Sequence, residues 1–380
     1  MISSSRQSAG ALKLLQIGNY PPPACGWAVQ TKLLTEAIRS RGHVCKVLNI
    51  NESRKIKSTE YVDVQNGFDY VQKLVRFAAQ GYRFQINVNG QSKPGYVLAI
   101  LAAIVGRLAG RPSTLSWRGG LQQKYFPSGN LATKWAYRQL FRLAGRLSCD
   151  SLPIKRAIED YGIAADDIVA IPPFSRQNLT FQNVALTPET ETFLAEHDQV
   201  FFSYVSFRPE YDLPMLREAM CNFRQDYPRA GFIWLGFPSK EMQAAIDYVN
   251  QWTDEERQGL LLLGNLTHDE FLTLLTRTTA YLRTPMCDGV AASVLESLAL
   301  GVPVIASDNG TRPHGVVTYR EKDEADLRAK LATVIEHYQQ VRQQTRLDEA
   351  DDNIELTVDW LLGESGRKRE EDSAELVHVR

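Results

Sequence analysis

The chain has 380 residues, a length that suits two domains of ordinary size, each able to bury its own core. Its formal net charge is −1 and 23% of its residues are charged, so no overall electrostatic field favours nucleic acid as a partner. Five cysteines are spread along the chain without Cys-x-x-Cys spacing or paired histidines. We therefore expect reduced thiols in a cytoplasmic protein and no metal site.

The amino-terminal residues 1–11 contain no apolar core of the kind found in secretory signals, so we expect a disordered leader there. The longest apolar run covers residues 96–105, which is too short to span a bilayer. This run predicts a buried helix.

From Leu12 onward, apolar runs of strand length alternate with helical stretches, a pattern typical of βα units and parallel sheets. A helix over about 27–41 is predicted to end at Gly42. The strands predicted in this half are 12–17, 44–50, 84–88, 113–117, 146–151 and 168–171.

The alternation stops at Pro172 and Pro173, where a polar stretch to about His197 predicts a connection between two halves. It then restarts. The predicted strands of the second half are 200–205, 231–235, 259–263, 279–283 and an apolar run after Pro303. The predicted helices are 214–227, 240–252, 268–276 and a long closing helix over 325–344.

These patterns predict an α/β protein with two Rossmann-like βαβ domains. Parallel sheets place their ligand-binding loops at the carboxyl ends of the strands, so we expect the two domains to face each other across a cleft. The expected organisation is a leader at 1–11, domains at 12–175 and 198–324, a linker at 176–197, closing helices at 325–362 and a disordered tail at 363–380.

The most informative segment covers residues 288–307. A loop of small residues follows Asp288 and leads into a short helix that carries Glu296 and stops at Gly301. Small residues let backbone N–H groups approach an oxyanion, and a helix amino terminus adds positive potential. The two carboxylates are suited to accept hydrogen bonds from hydroxyl groups. The alternative is an ordinary strand, loop and core helix whose acids are capping or solvated.

This segment resembles the acidic-x7-acidic motif of the retaining glycosyltransferases of family 4. Asp288 stands where the family usually has a glutamate, and Glu296 matches the second acid. The resemblance implies a GT-B fold over most of 12–345, with the last helix crossing back to the first domain. It also implies transfer of a hexosyl group, with retention and without metal or cofactor, from a UDP- or GDP-linked donor to an acceptor hydroxyl.

The resemblance assigns the donor to the second domain and the acceptor to the first. The acceptor would be a saccharide, a lipid-linked molecule or a small molecule, in polysaccharide, glycolipid or glycoconjugate biosynthesis. Glu296 would hold the ribose and Asp288 the donor sugar. Backbone groups near Asn265 and Leu266 would meet the nucleobase, although an N-cap at Thr267 or His268 is the simpler interpretation. The loop residues implied in phosphate binding are Gly289, Val290, Ala291, Ala292 and Ser293.

A loop ending at Gly26 resembles the family's glycine-bearing loop, although Trp27 stands where a second glycine is common. Gly26 would allow close approach of the donor phosphates or of the acceptor; the alternative is an ordinary proline-rich turn.

Three arginines follow predicted strands and are candidates for phosphate binding. Arg208 matches the family's pyrophosphate arginine, but the lysine that usually follows it is absent. Arg118 could neutralise a phosphate or an acidic acceptor, and Arg312 lies in a glycine-rich turn. Each of them could instead be an ordinary surface or turn residue.

A basic stripe recurs every four residues in the predicted helix from Leu131. Such a stripe could meet anionic lipid headgroups at the inner face of a membrane, or could be a solvated helix face. No recognisable RNA-binding module accompanies it. The stripe consists of Lys134, Arg138, Arg142 and Arg146.

Two other functions stay open. The substitution at Asp288, the absent lysine and Trp27 allow a nucleotide-sugar-binding relative that has lost turnover. Another enzyme of the same fold, such as a sugar-nucleotide epimerase or a phosphorylase, is also compatible. A dehydrogenase is disfavoured because no Gly-x-Gly-x-x-Gly follows the first predicted strand.

Overall fold

A computed structural model describes residues 11–21, 26–237, 239–345 and 352–363. The predicted leader at 1–11 and the predicted tail at 363–380 lie outside the described residues except for their innermost positions. Two six-stranded sheets, parallel throughout, organise the described chain, which confirms the α/β prediction.

The first sheet has the strand order β2-β1-β3-β4-β5-β6. Its strands alternate with five helices, because nearly continuous apolar runs are suited to a sheet covered on both faces. The strands are β1 Lys13–Gly18, β2 Val44–Asn49, β3 Arg83–Val88, β4 Thr114–Trp117, β5 Arg146–Cys149 and β6 Ile168–Ala170. The helices are α1 Gly26–Ser40, α2 Gly67–Ala79, α3 Lys93–Leu108, α4 Leu131–Leu143 and α5 Leu152–Glu159.

The helices of this domain divide between the two faces of the sheet. Buried residues of α2, α3, α4 and α5 share one core cluster with the strands, including Tyr70, Ala102, Tyr137 and Ile154. Helix α1 contributes to a separate cluster on the other face.

The second sheet has the order β12-β11-β10-β7-β8-β9. Its strands are β7 Gln199–Tyr204, β8 Ala230–Phe237, β9 Leu260–Gly264, β10 Ala280–Arg283, β11 Val304–Ser307 and β12 Val316–Tyr319. Its helices are α6 Pro188–Glu196, α7 Leu213–Asp226, α8 Ser239–Val249, α9 Asp254–Gln258, α10 His268–Thr276, α11 Ala292–Ala299, α12 Glu324–Glu336 and α13 Tyr338–Gln344.

The closing segment differs from its prediction. The helix expected over 325–344 is two helices that meet at His337, and α12 packs on α7 within the second domain. A further helix, α14 Asn353–Leu362, packs on α1 of the first domain. Arg41 pairs there with Glu355 and, at 2.6 Å, with Asp359. The chain therefore crosses back to the first domain through α14.

Candidate functional site

The site lies between the two domains, at the carboxyl ends of their strands. A cavity of about 140 Å³ is lined from the first domain by residues that include Trp27, Asn89 and Arg118, and from the second by residues that include Arg208, Glu210 and Asp288. Asn89 follows β3 and Arg118 follows β4. The cleft therefore has the position expected for a ligand site in open parallel sheets.

The domains are in direct contact around this cavity. The Gln123 side chain donates a hydrogen bond to the Cys287 carbonyl oxygen of the other domain. A Cβ placed on Gly26 would lie 3.2 Å from that of Ala292, so the first turns of α1 and α11 face each other. Two helix amino termini thus point into one narrow cleft, where their partial positive charges favour an anion.

Helix α11 begins at the cleft without a side-chain cap. Its N-cap residue is Ala291, which has no side chain that could accept from the first-turn amides. The residues Gly289, Val290, Ala292 and Ser293 around this terminus are half-buried. Val294 and Leu298 anchor the helix in the core. The backbone amides of its first turn are therefore fixed in place for an external acceptor.

Glu296 lies just over one turn into α11 and is 5% exposed. Its Oε1 atom is 3.0 Å from Nε2 of His268, the first residue of α10. Burial alone would lower the pKa of His268, but the hydrogen bond and charge of Glu296 outweigh it and raise that pKa. The acid therefore has a basic partner that a hydroxyl-bearing ligand would have to share or displace.

Asp288 is held by arginines of its own domain. Arg283, at the end of β10, makes a bidentate pair with it, with nitrogen–oxygen distances of 2.6 and 2.9 Å. Arg312 Nη1 lies 3.6 Å from Asp288 Oδ2. Asp288 thus lines the cavity with its carboxylate tied to a buried guanidinium, which fixes the entrance of the loop before α11.

The side chains of Arg312 and Arg118 are buried and already paired. Arg312 donates to the carbonyl oxygens of Ser307 and Pro285 at 2.9 and 2.7 Å, so it braces two loops. Arg118 donates to Asp150 at 2.8 Å. Burial raises the pKa of Asp150 to about 6, although Arg118 opposes that rise. Of these two arginines, only Arg118 lines the cavity.

Arg208 and Glu210 differ from those arginines because they are accessible. Arg208 is exposed, lines the cavity and makes no side-chain ion pair within the described residues. Glu210 is half-buried in the same cavity, two residues further on. Arg208 is therefore the cavity arginine available to meet an anionic ligand.

Asn265 and Leu266 precede α10 at the edge of the second domain. Asn265 is exposed and Leu266 is half-buried against the core. Thr267 caps α10 in a capping box with Glu270, as the simpler interpretation of this loop expected. The cap places His268 in the first turn, where it reaches Glu296.

The predicted basic stripe is only partly exposed. Lys134 lies over the ring of Tyr161, 5.5 Å from its centroid. Arg146 does not continue the stripe on α4, which ends at Leu143, but begins β5, where it stacks on Trp360 and donates to its carbonyl oxygen at 2.7 Å. Arg138 and Arg142 are exposed.

No helix within the described residues is long and apolar enough to cross a membrane. No group of three or more histidine, cysteine, aspartate or glutamate side chains in that part of the chain could hold a metal ion.

Sequence reasoning missed the partners of three candidate site residues. Arg283, His268 and Asp150 are the partners of Asp288, Glu296 and Arg118. One signal was available for Asp150, because it lies near the end of the predicted strand 146–151, as Arg118 lies directly after the predicted strand 113–117. Nothing in the local spacing singled out Arg283.

Comparison with known proteins rests on structure. No protein-family model matches the sequence, and no curated protein matches it. The structure of HepE from Anabaena in complex with UDP and glucose has a TM-score of 0.67 at 14% identity, covering 93% of this chain and 98% of that one. A glycosyltransferase from Rickettsia africae has a TM-score of 0.63 at 12% identity, covering 94% and 100%.

A putative UDP-N-acetylglucosamine 2-epimerase from Listeria monocytogenes is about as similar, with a TM-score of 0.66 at 12% identity over 94% of this chain and 98% of that one. At such identities the likeness concerns the fold alone. This chain therefore has the GT-B fold, with two Rossmann-like domains facing across a cleft.

Proposed function

We propose that the protein is a glycosyltransferase that moves a hexose from a nucleotide-sugar donor to an acceptor hydroxyl, without a metal ion. The observation that carries this proposal is the uncapped amino terminus of α11, which opens into the interdomain cleft with Glu296 one turn behind it. HepE, a protein of similar fold, is known in complex with UDP and with UDP-glucose. We favour a UDP-linked donor over a GDP-linked one on that basis.

The chemistry requires fixed positive groups near the departing diphosphate, because breaking the glycosidic bond leaves negative charge on it. The first-turn amides of α11 and the Arg208 guanidinium would supply them. Glu296 would accept hydrogen bonds from the ribose in place of His268. Asp288, braced by Arg283, would orient the donor sugar through its remaining lone pairs.

We include retention of the anomeric configuration in the proposal because the segment 288–307 resembles the motif of family 4. The acceptor would enter from the first domain, where Asn89 and Gln91 line the cavity. The departing phosphate would take the acceptor proton. Glu210 lines the cavity and has no ion-pair partner within the described residues.

The test measures nucleotide release from a panel of UDP- and GDP-sugars in the presence of candidate acceptors. We expect Glu296→Gln and Arg208→Ala to lower kcat/KM by about 100-fold, the usual effect of removing one fixed group from a charged transition state. Arg229→Ala is the matched control, because Arg229 pairs with Asp198 at the amino-terminal ends of β7 and β8, away from the cleft. Unchanged turnover in both site variants would remove this site from the reaction.

A binding protein without turnover is the second candidate, favoured by the ion pairs that occupy Asp288. Titration calorimetry would then detect UDP-sugar binding with no product from any acceptor. An epimerase would instead convert the donor without an acceptor, which the same assay detects by analysing the sugar.

A further inference from the structure

Exposed apolar side chains are concentrated on one part of the first domain. Six large apolar residues are more than half exposed within the described chain. Five of them lie on α2, α3 and α4, and they are Phe68, Val75, Leu108, Leu131 and Trp135. Single exposed apolar residues are ordinary, but a cluster on neighbouring helices marks an interaction surface.

The three helices form one continuous side of the molecule. They pack in the order α2, α3, α4 over the same face of the first sheet. Phe68 and Val75 are seven residues apart on α2, and Leu131 and Trp135 are four apart on α4. These spacings place each pair on one side of its helix, and their exposure shows that this side faces away from the sheet. We call the outer surface of α2, α3 and α4 the docking face.

The docking face is strongly basic. Its three helices carry five exposed lysine and arginine residues and contain one acidic residue, in a chain whose formal net charge is −1; the five are Arg76, Lys93, Arg107, Arg138 and Arg142. Helices α3 and α4 contain no acidic residue at all. The charge is therefore concentrated where the apolar side chains are exposed.

The combination of exposed apolar side chains and positive charge indicates which kind of partner the docking face binds. A second copy of this chain docking through the same face would bring like charges together. A nucleic acid would satisfy the charge but would give Leu108 and Leu131 no apolar surface in which to be buried. The interface of an anionic bilayer offers both, since basic residues meet its headgroups and apolar side chains enter the acyl boundary.

We propose that the docking face binds the surface of an anionic membrane, with Leu131 and Trp135 inserted at the interface. This differs from the stripe expected from the sequence, because Lys134 and Arg146 turn back onto the protein while Arg138 and Arg142 remain exposed.

The docking face lies close to the cavity, so docking would bring the cavity near the membrane surface. Asn89 and Gln91 line the cavity just before α3, and Gly119 and Gln123 line it before α4. The amino termini of α3 and α4, with Leu131 and Trp135, therefore lie on the cavity side of the domain. A docked protein would receive an acceptor from the bilayer, so the acceptor would be lipid-linked, an extension that rests on the proposed function.

Vesicle flotation tests the docking. We expect the full chain to float with vesicles of phosphatidylcholine and phosphatidylglycerol and not with phosphatidylcholine alone. The double variant Leu131→Gln, Trp135→Gln should partition at least about tenfold more weakly, since two large apolar side chains no longer enter the interface. Ile246→Gln, which removes an exposed apolar residue from α8 of the second domain, is the matched control and should bind as the wild type does.

Tryptophan emission gives an independent readout. Trp135 is 65% exposed, whereas the other five tryptophans are buried or half-buried. Anionic vesicles should shift the emission to shorter wavelength, and Trp135→Phe should abolish the shift while the protein still floats. Equal flotation of the double variant and the wild type, or a shift that survives Trp135→Phe, would overturn the proposal.

Both measurements are made without donor or acceptor, so they can fail while the proposed transfer reaction stands. Incubation with a labelled UDP-sugar and a lipid extract tests the acceptor class separately. Label that stays out of the lipid fraction in a protein that transfers sugar to a water-soluble acceptor would refute the lipid-linked acceptor alone.

Discussion

Glu296 illustrates how a buried acid depends on one neighbouring residue. Its carboxylate is almost inaccessible, and the described contact that offsets its charge is the imidazole of His268 at 3.0 Å. Because the pKa of His268 is raised above its usual 6.5, the pair is charged at mildly acidic pH and loses the positive charge as the pH rises. The stability that this pair contributes should therefore be fully present below about pH 6.5 and lost as the pH rises through the raised pKa.

A double-mutant cycle of His268→Asn and Glu296→Gln measures this contribution. We expect a coupling free energy of about 1 kcal/mol near pH 6, the order for a partly screened hydrogen-bonded pair, and a smaller one near pH 9. The measurement is urea unfolding of the four proteins at both pH values. The surface pair of Arg229 and Asp198, which contains no histidine, should show no comparable change between the two. Coupling that grows with pH would contradict the assignment.

The sequence indicates which acids lie near the cleft but not what holds them. Asp288 and Glu296 stand out because their spacing around a small-residue loop is a local pattern. Their partners, Arg283 and His268, come from β10 and α10, and their proximity depends on how those elements meet. Arg118 was expected as a cation for a ligand, yet it lies against Asp150 because β4 and β5 are neighbours in the sheet.

Helix α10 connects a local cap to the chemistry of the site. Thr267 accepts a hydrogen bond from the Glu270 amide and so fixes the first turn, in which His268 faces Glu296. Thr267→Ala should cost about 1 kcal/mol of unfolding free energy, the usual value for a lost N-cap, and should also weaken binding of UDP. Urea unfolding and titration calorimetry measure the two effects.

Another capping box, at the start of α9, is the control for this experiment. Thr253 caps α9 in the same arrangement with Glu256, remote from Glu296. Thr253→Ala should cost a similar free energy of unfolding while leaving the affinity for UDP unchanged. Equal effects of the two substitutions on affinity would mean that the α10 cap has no special relation to the site.

At the scale of elements, the helix bounds predicted from the sequence are most accurate where the hydrophobic periodicity and the capping residue indicate the same start. The bounds His268–Thr276 were predicted to the residue, because a capping residue directly precedes an apolar helical pattern. The closing helix was predicted as one because Leu327, Leu331, Val334 and Val341 keep a helical spacing across the break at His337. Strand β12 was missed, since its four residues are mostly half-buried at the sheet edge and follow a glycine-rich turn.

At the scale of the whole molecule, the geometry of the cleft depends on how closely the two domains approach each other. The restart of the strand and helix alternation after 197 indicated two domains facing across a cleft, but no sequence pattern gave the distance between them. In the structure, the Gly120 backbone lies against the backbone of Cys287 and Asp288, and the Gly119 backbone lies near Gly289. A Cβ on Gly120 would overlap the Asp288 carbonyl group and lie 2.7 Å from the Cys287 carbonyl oxygen. A side chain at Gly120 is thus incompatible with the closed cleft.

Gly120→Ala should therefore hold the cleft open without unfolding either domain. The backbone of Gly120 does not have a positive φ, so alanine is strained there only by its neighbours across the cleft. Gly129→Ala, in the same segment but with no atom within 4 Å of the added Cβ, is the matched control. We expect a larger radius of gyration by small-angle X-ray scattering, and transfer slowed by up to about 100-fold, because a displacement of about 1 Å can misalign the reacting groups. Scattering and turnover equal to those of Gly129→Ala would show that closure of the cleft does not require glycine at position 120.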